Sequence, residues 1–319
     1  MNTGRGKSQK ESINLVFHNI HDHGVEITDM WMNEVMARSN NRVRFIKSSG
    51  EDSGAIKTAD LVRDVPAMGD RYPLLNLVQI PFIFPSSTVG SKVVAQLYEE
   101  FPELRSELSD VKVVGLGLGA LLAIFSSKAW GPIRTVEDFK GARTRSLTQI
   151  DGVIEALGGK PAHVGWFEMP RLLETGELDA VVLGVLPGHM FKLADGVAPY
   201  CTLAGKTSIT MHPMRIYMKW DTWNSLPHDI REIIEEIGPA GNNCWFAVQS
   251  GIDADQHLHE ALDYIKQKGE LIEVAPEELE RWRRLIQPGM DLAVSEVEAR
   301  GLPARKFLDR MKELVTEYS

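Results

Sequence analysis

Residues 140–184 read KGARTRSLTQIDGVIEALGGKPAHVGWFEMPRLLETGELDAVVLG, and this stretch decides the fold class. Residues 142–147 form a short basic strand whose alternation puts Arg143 and Arg145 on one side. Ile150, Val153, Ile154 and Leu157 follow at helix spacing. Gly158 and Gly159 suit a helix C-cap, and Pro161 prevents continuation. A second helix carries Leu172 and Leu173, closes at Thr175-Gly176 and leads into the apolar strand 180–183. Such a β-α-β-α-β order implies parallel strands with a crevice at their carboxyl ends. A guanidinium at a strand end there suits a small carboxylate, because its donors match both oxygens in a fork. Ordinary surface charges fit the same spacing.

Working outward, 319 residues is enough for about two domains of 100–200 residues. Hydrophobic content of 43% and charged content of 25% match a soluble globular protein. The net charge of −9 argues against non-specific nucleic-acid or membrane-surface binding, both of which want a basic face. No stretch approaches the roughly 18 apolar residues that span a bilayer. The opening MNTGRGKSQKES is polar, is expected to be disordered, and carries no apolar core of a secretory signal. That fits a cytosolic protein or the mature form of an exported one. Two cysteines, Cys201 and Cys244, define no compartment, and two buried thiols are favoured over a disulfide.

Upstream, residues 13–17 alternate as a first strand that runs into His18-Asn19-Ile20-His21-Asp22-His23-Gly24. Imidazoles beside a carboxylate suit zinc, and His18, Asp22 and His23 nearly meet H-x-H-x-D-H. Ile20 stands where the second histidine should be, which removes a ligand. Residues 25–38 read as an amphipathic helix with Ile27, Met30, Trp31, Val35 and Met36 as its buried stripe. Residues 43–47 make a strand, 60–66 are weakly patterned, and 111–116 form a strongly apolar strand. Gly115, Gly117 and Ala120 satisfy G-x-G-x-x-A, but Pro132 breaks the chain too soon for a dinucleotide unit. Serines 126, 127, 146 and 208 lack a nucleophile-elbow context. Further on, strands are expected at 208–211 and 215–219, and a long helix ending at Lys268. Two helices should follow, around 276–286 and 290–300, then a last one at 304–318.

K-G-x-x-x-R, ALGG-K-P-A, W-F-E and L-x-T-G-E-L-D-A occur here in one order, with YPLLNLVQIPFIF upstream and WDTWNSLPHDIREII downstream. Together they resemble the DctP-type solute-binding subunits of tripartite ATP-independent periplasmic (TRAP) transporters, over nearly the whole chain from about Ile13. The resemblance implies two α/β lobes of the periplasmic-binding-protein type, each discontinuous, with hinge strands and a long helix spanning both. It places a disordered stretch at 1–12, lobe I at 13–124 plus 212–250, and lobe II at 125–211 plus 251–319 with the C-terminal helices. Arg145 matches the family's carboxylate-binding arginine, and Trp166 a position where an aromatic packs on the ligand. The histidine loop would line the cleft, bringing His18, Asn19 and His21 to the ligand.

Two departures bear on the ligand. Leu183 falls where the family often places an asparagine, and 121–125 is apolar where many members carry an arginine shortly before Lys128. Such a wall leaves a polyhydroxylated sugar poorly satisfied. The expectation is a small carboxylate with an apolar or aromatic body: a branched 2-oxo or 2-hydroxy acid, or an aromatic acid. A C4-dicarboxylate would need a second cation from His18, His21, Lys128 or Arg143.

The resemblance therefore implies an extracytoplasmic, periplasmic binding protein and not an enzyme, with no cofactor and no metal. Its partners would be an organic acid and the membrane permease subunits of a TRAP transporter, with no nucleic acid and no membrane insertion. A zinc-dependent hydrolase built on residues 18–23, or a sensor subunit on the same fold, are the alternatives.

Overall fold

Among the described residues, eleven strands divide between two sheets. They are β1 (Ile13–Asn19), β2 (Val43–Ser49), β3 (Leu61–Asp64), β4 (Lys112–Leu118), β5 (Leu122–Ser126), β6 (Arg143–Arg145), β7 (Lys160–Ala162), β8 (Ala180–Gly184), β9 (Tyr200–Leu203), β10 (Pro213–Met218) and β11 (Glu270–Glu273). The computed structural model describes residues 12–20, 25–50, 52–66, 71–205, 207–238 and 244–319.

The first sheet has the order β2-β1-β3-β10-β4, and the second β11-β9-β5-β8-β6-β7. β1, β2 and β3 run parallel, with β10 antiparallel between β3 and β4. In the second sheet β7, β6 and β8 run parallel, as the 140–184 stretch predicts. Two apolar clusters flank each sheet, so each lobe is a helix–sheet–helix sandwich. The helix Val25–Arg38 buries Ile27, Trp31 and Val35 against the first sheet. Gly158 adopts φ +88°, the left-handed conformation a helix C-cap needs.

The chain passes between lobes at residues 119–121, between β4 and β5, and at 204–212, between β9 and β10. The second passage was expected to hold a strand at 208–211. Instead Ser208 splits its backbone pairing between Phe82 and Phe84, at 3.2 Å each. Phe82 sits at φ +63°, and its ring packs 6.4 Å from that of Trp282.

Two 24-residue helices also join the halves. Trp245–Lys268 places Phe246 in a first-lobe core and Ala261 and Ile265 in a second-lobe core. An added Cβ on Gly251 would stand 2.4 Å from Thr88 Cα, so this helix meets its neighbour backbone to backbone. Asp255 then accepts from the amides of Ser87 (2.8 Å) and Thr88 (2.9 Å), capping the helix Ser87–Glu100. The second helix, Pro276–Ala299, is continuous where two were expected. Pro288 removes one N–H, yet Trp282 and Ile286 on one side of it and Val294 and Val297 on the other are all held in cores. The last helix, Ala304–Tyr318, was expected with the second lobe. It packs Phe307, Leu308, Met311 and Leu314 into a first-lobe core, with Phe101 and Phe307 edge to face at 5.0 Å.

Candidate functional site

The crossovers bring the carboxyl ends of β3, β6 and β8 to a cavity of about 300 Å³ between the sheets. On the second-lobe side, β6 ends at Arg145, registered against Ala162 and Val181. The following turn is fixed by Ser146 Oγ donating to Asp151 Oδ1 (2.6 Å), with His163 Nε2 on the other carboxylate oxygen (2.8 Å). Arg145 is 5% exposed, and its one hydrogen bond among the described residues is a long one, Nε to Val164 O at 3.5 Å. Among the described residues no carboxylate pairs with it. Burial pushes its pKa below the usual guanidinium value. A desolvated cation with unused forked donors suits an incoming carboxylate.

Trp166 lies beneath it, with the guanidinium carbon 5.1 Å from the ring centre. Phe191 stacks on Trp166 at 5.7 Å and 23°, which fixes that plane. Leu122, Leu147, Val182, Leu183 and Leu186 make the adjoining wall apolar. The wall is continuous because β5 and β8 are paired with Ala123 opposite Leu183.

The first lobe contributes groups that sequence reading did not single out. Arg63 on β3 is buried, donating from Nη1 to Asn19 Oδ1 (3.1 Å) and from Nη2 to Met214 Sδ (2.8 Å). Asn19 and Arg63 are register partners between β1 and β3. β3 is locked to β10 by Arg215, whose Nε and Nη2 reach the Asp64 carboxylate at 2.8 and 3.0 Å. His212, at the start of β10, also lines the cavity and holds Gln79 Oε1 at 2.6 Å through Nδ1. Burial, with the field of Arg145 added, lowers its pKa to about 4, so it is neutral near pH 7. Asp253, on the long helix, lies 3.6 Å from His257 Nδ1. The signal for Arg63 was the pattern Leu61-Val62-Arg63-Asp64, a strand read as weakly patterned.

Of the expected residues, Arg145, Trp166 and Leu183 come together in the cavity wall, with Asn19 behind it holding Arg63. His18 is not in that wall. It is fully buried, with Nδ1 2.9 Å from Ser48 Oγ and Nε2 2.8 Å from Gly50 O. Arg143 is not either; its Nε and Nη2 clasp Asp179 at 2.8 and 2.7 Å. Lys128 is exposed beyond the far end of β5. His21, with the zinc reading that uses Asp22 and His23, lies outside the described residues. Among the described residues no three His, Cys, Asp or Glu side chains cluster as a metal site would need. A larger groove of about 410 Å³ lies between residues 73–81, 148–153 and the helix Pro276–Ala299, away from Arg145.

A family model described as DctP, bacterial extracellular solute-binding protein, family 7, matches residues 59–296. A solute-binding protein of Sulfitobacter sp. (strain NAS-14.1) is 27% identical over 237 residues, 72% of this chain and 67% of that protein. A marine-metagenome TRAP solute-binding protein specific for aromatic acid ligands, solved with 3-hydroxybenzoate, superposes with a TM-score of 0.85. It is 20% identical and covers 97% of this chain and 99% of its own. A TRAP periplasmic solute-binding protein of Bordetella bronchiseptica with bound mandelate gives a TM-score of 0.84. It is 18% identical and covers 96% of this chain and all of its own. At these identities the superpositions speak to the fold. The family match spans most of the chain, and the chain belongs to the DctP family of bacterial extracellular solute-binding proteins.

Proposed function

We propose that this protein captures a small monocarboxylate with an apolar or aromatic body in the periplasm and delivers it to the membrane components of a TRAP transporter. One observation carries the reading: Arg145 is buried, with no carboxylate partner among the described residues, over an aromatic plane, at the edge of an apolar cavity. The cavity volume is at the lower end of the roughly 300–1,000 Å³ of small-molecule sites, which favours a compact ligand. The aromatic acids held by structural relatives fit that chemistry. Lobe closure would dehydrate the ion pair and so strengthen it.

The test is a thermal-shift and calorimetric panel on unfolded-and-refolded protein, freed of ligand from its source. At about 100 times Kd, a ligand binding only the native state adds roughly 2.7 kcal/mol of stability. A shift with an apolar or aromatic acid, lost in Arg145→Ala, supports the reading. Tight binding of a sialic acid with no response to any apolar acid refutes it.

A further inference from the structure

Two hydrogen-bonding characters meet in the cavity. Arg145 offers only donors. His212 is the opposite: its Nδ1 faces Gln79 Oε1 at 2.6 Å, an acceptor, so Nδ1 carries the ring proton. The main chain at Gln79 is anchored separately, its backbone carbonyl accepting from Thr210 Oγ1. A neutral imidazole protonated at Nδ1 has a bare lone pair at Nε2, and Nε2 is the ring nitrogen left to the cavity that His212 lines. Arg145 and His212 line the same cavity, and burial, with the charge of Arg145 added, keeps the ring neutral. The cavity thus presents an acceptor in the same lining as the site that takes the carboxylate.

We propose that His212 accepts a hydrogen bond from a hydroxyl group next to the ligand's carboxylate, so that the protein selects 2-hydroxy acids over 2-oxo and unsubstituted acids. This rests on the carboxylate reading of Arg145 and deepens it. A 2-oxo group has no proton to give and turns a lone pair toward a lone pair. An unsubstituted acid leaves the buried nitrogen without a partner once water is expelled. Sites that hydrogen-bond a substrate hydroxyl reject the analogue lacking it far more strongly than they reject a missing methylene. Most of the wall is carbon; its other polar side chains are Arg63, which is a donor, Ser250 and Asp253. Asp253 is the competing acceptor.

The experiment measures Kd by calorimetry on refolded protein with two matched sets. The first is mandelate (each enantiomer), phenylacetate and phenylglyoxylate; the second is 2-hydroxyisovalerate, isovalerate and 2-oxoisovalerate. In whichever set the cavity admits, the hydroxy acid should bind about 10- to 100-fold more tightly than its two analogues. In His212→Phe, which keeps an aromatic ring without the acceptor, that ratio should fall to within about threefold of unity as the hydroxy acid weakens. Equal affinities in the unaltered protein, or a preference for the oxo acid, would overturn the assignment. So would a ratio that survives in His212→Phe, which would transfer the role to Asp253. The unaltered protein alone decides the first two outcomes, should the variant fold poorly. No binding of any acid in either set would instead remove the carboxylate reading, a result distinct from binding without discrimination.

Discussion

Arg143 and Arg145 stand two residues apart on one short strand, and among the described residues only the first has a carboxylate. Arg143 closes a two-point fork on Asp179, while Arg145 meets a tryptophan face and the cavity. The strand's position explains the split. At its carboxyl end the sheet opens to the cleft, and at its amino end it meets the turn before β8.

Arg145→Met should abolish measurable capture, weakening the preferred acid by at least about 100-fold, as loss of a buried ionic partner does. It should also leave the empty protein more stable by about 1 kcal/mol, because burial disfavours this charge and no carboxylate among the described residues offsets it. Calorimetry with the acid and urea unfolding without it check the two halves. Loss of both affinity and stability would mean that the arginine is structural.

Arg143→Ala should behave in the opposite way, keeping affinity within about twofold and lowering stability by about 1–2 kcal/mol. Burial alone would raise the Asp179 pKa, but the Arg143 side chain and amide bring it below the ordinary value. That stabilisation is present above the unfolded carboxylate pKa, about 3.9, and is lost as pH falls through the lower folded value. Chemical unfolding as a function of pH should therefore show the gap between parent and variant closing as pH falls below about 4, with the shallower acid limb in the variant.

His212 makes a separate pH window. Its folded pKa is depressed to about 4 against about 6.5 unfolded, so the unfolded chain binds the extra proton between these values. Stability is fully present above about pH 6.5 and should decline toward pH 4, by on the order of 3 kcal/mol. Unfolding curves of His212→Gln between pH 4 and 7 should lack this decline. A variant that follows the parent across the window would show that the ring titrates normally.

Gly251→Ala should destabilise by about 2–3 kcal/mol, because the new methyl meets Thr88 backbone, which cannot rotate away. Asp255→Asn, which weakens the cap on the same neighbouring helix, should cost about 1 kcal/mol. Denaturant midpoints measure both.

Local pattern made the second lobe legible. β6, β7 and β8 follow from strand alternation, two glycines and a proline within 45 residues, and Arg145, Trp166 and Leu183 all lie in that stretch. The first-lobe wall was not legible, because it is assembled from distant segments. Arg63 reaches the cavity only because β3 pairs with β1 and β10, and its neighbour Asp64 is held by Arg215, 151 positions on. His18 misled for the same reason. Its partners Ser48 and Gly50 are 30 and 32 residues away, so an internal hydrogen-bonded ring looked like a loop ligand. Pro288 misled differently, since burial on both sides outweighed one lost N–H.

The insertion of β10 between β3 and β4 also bears on the order in which the molecule can be made. Strands β1 to β4 emerge first from the ribosome, yet their sheet has a vacant lane until residue 218 is available, about 100 residues after β4 is complete. Throughout that interval β3 and β4 each expose an unpaired edge, the surface most ready to recruit another chain. Premature stops or cleavage anywhere between β4 and β10 should therefore yield aggregates instead of a half-sized binding module.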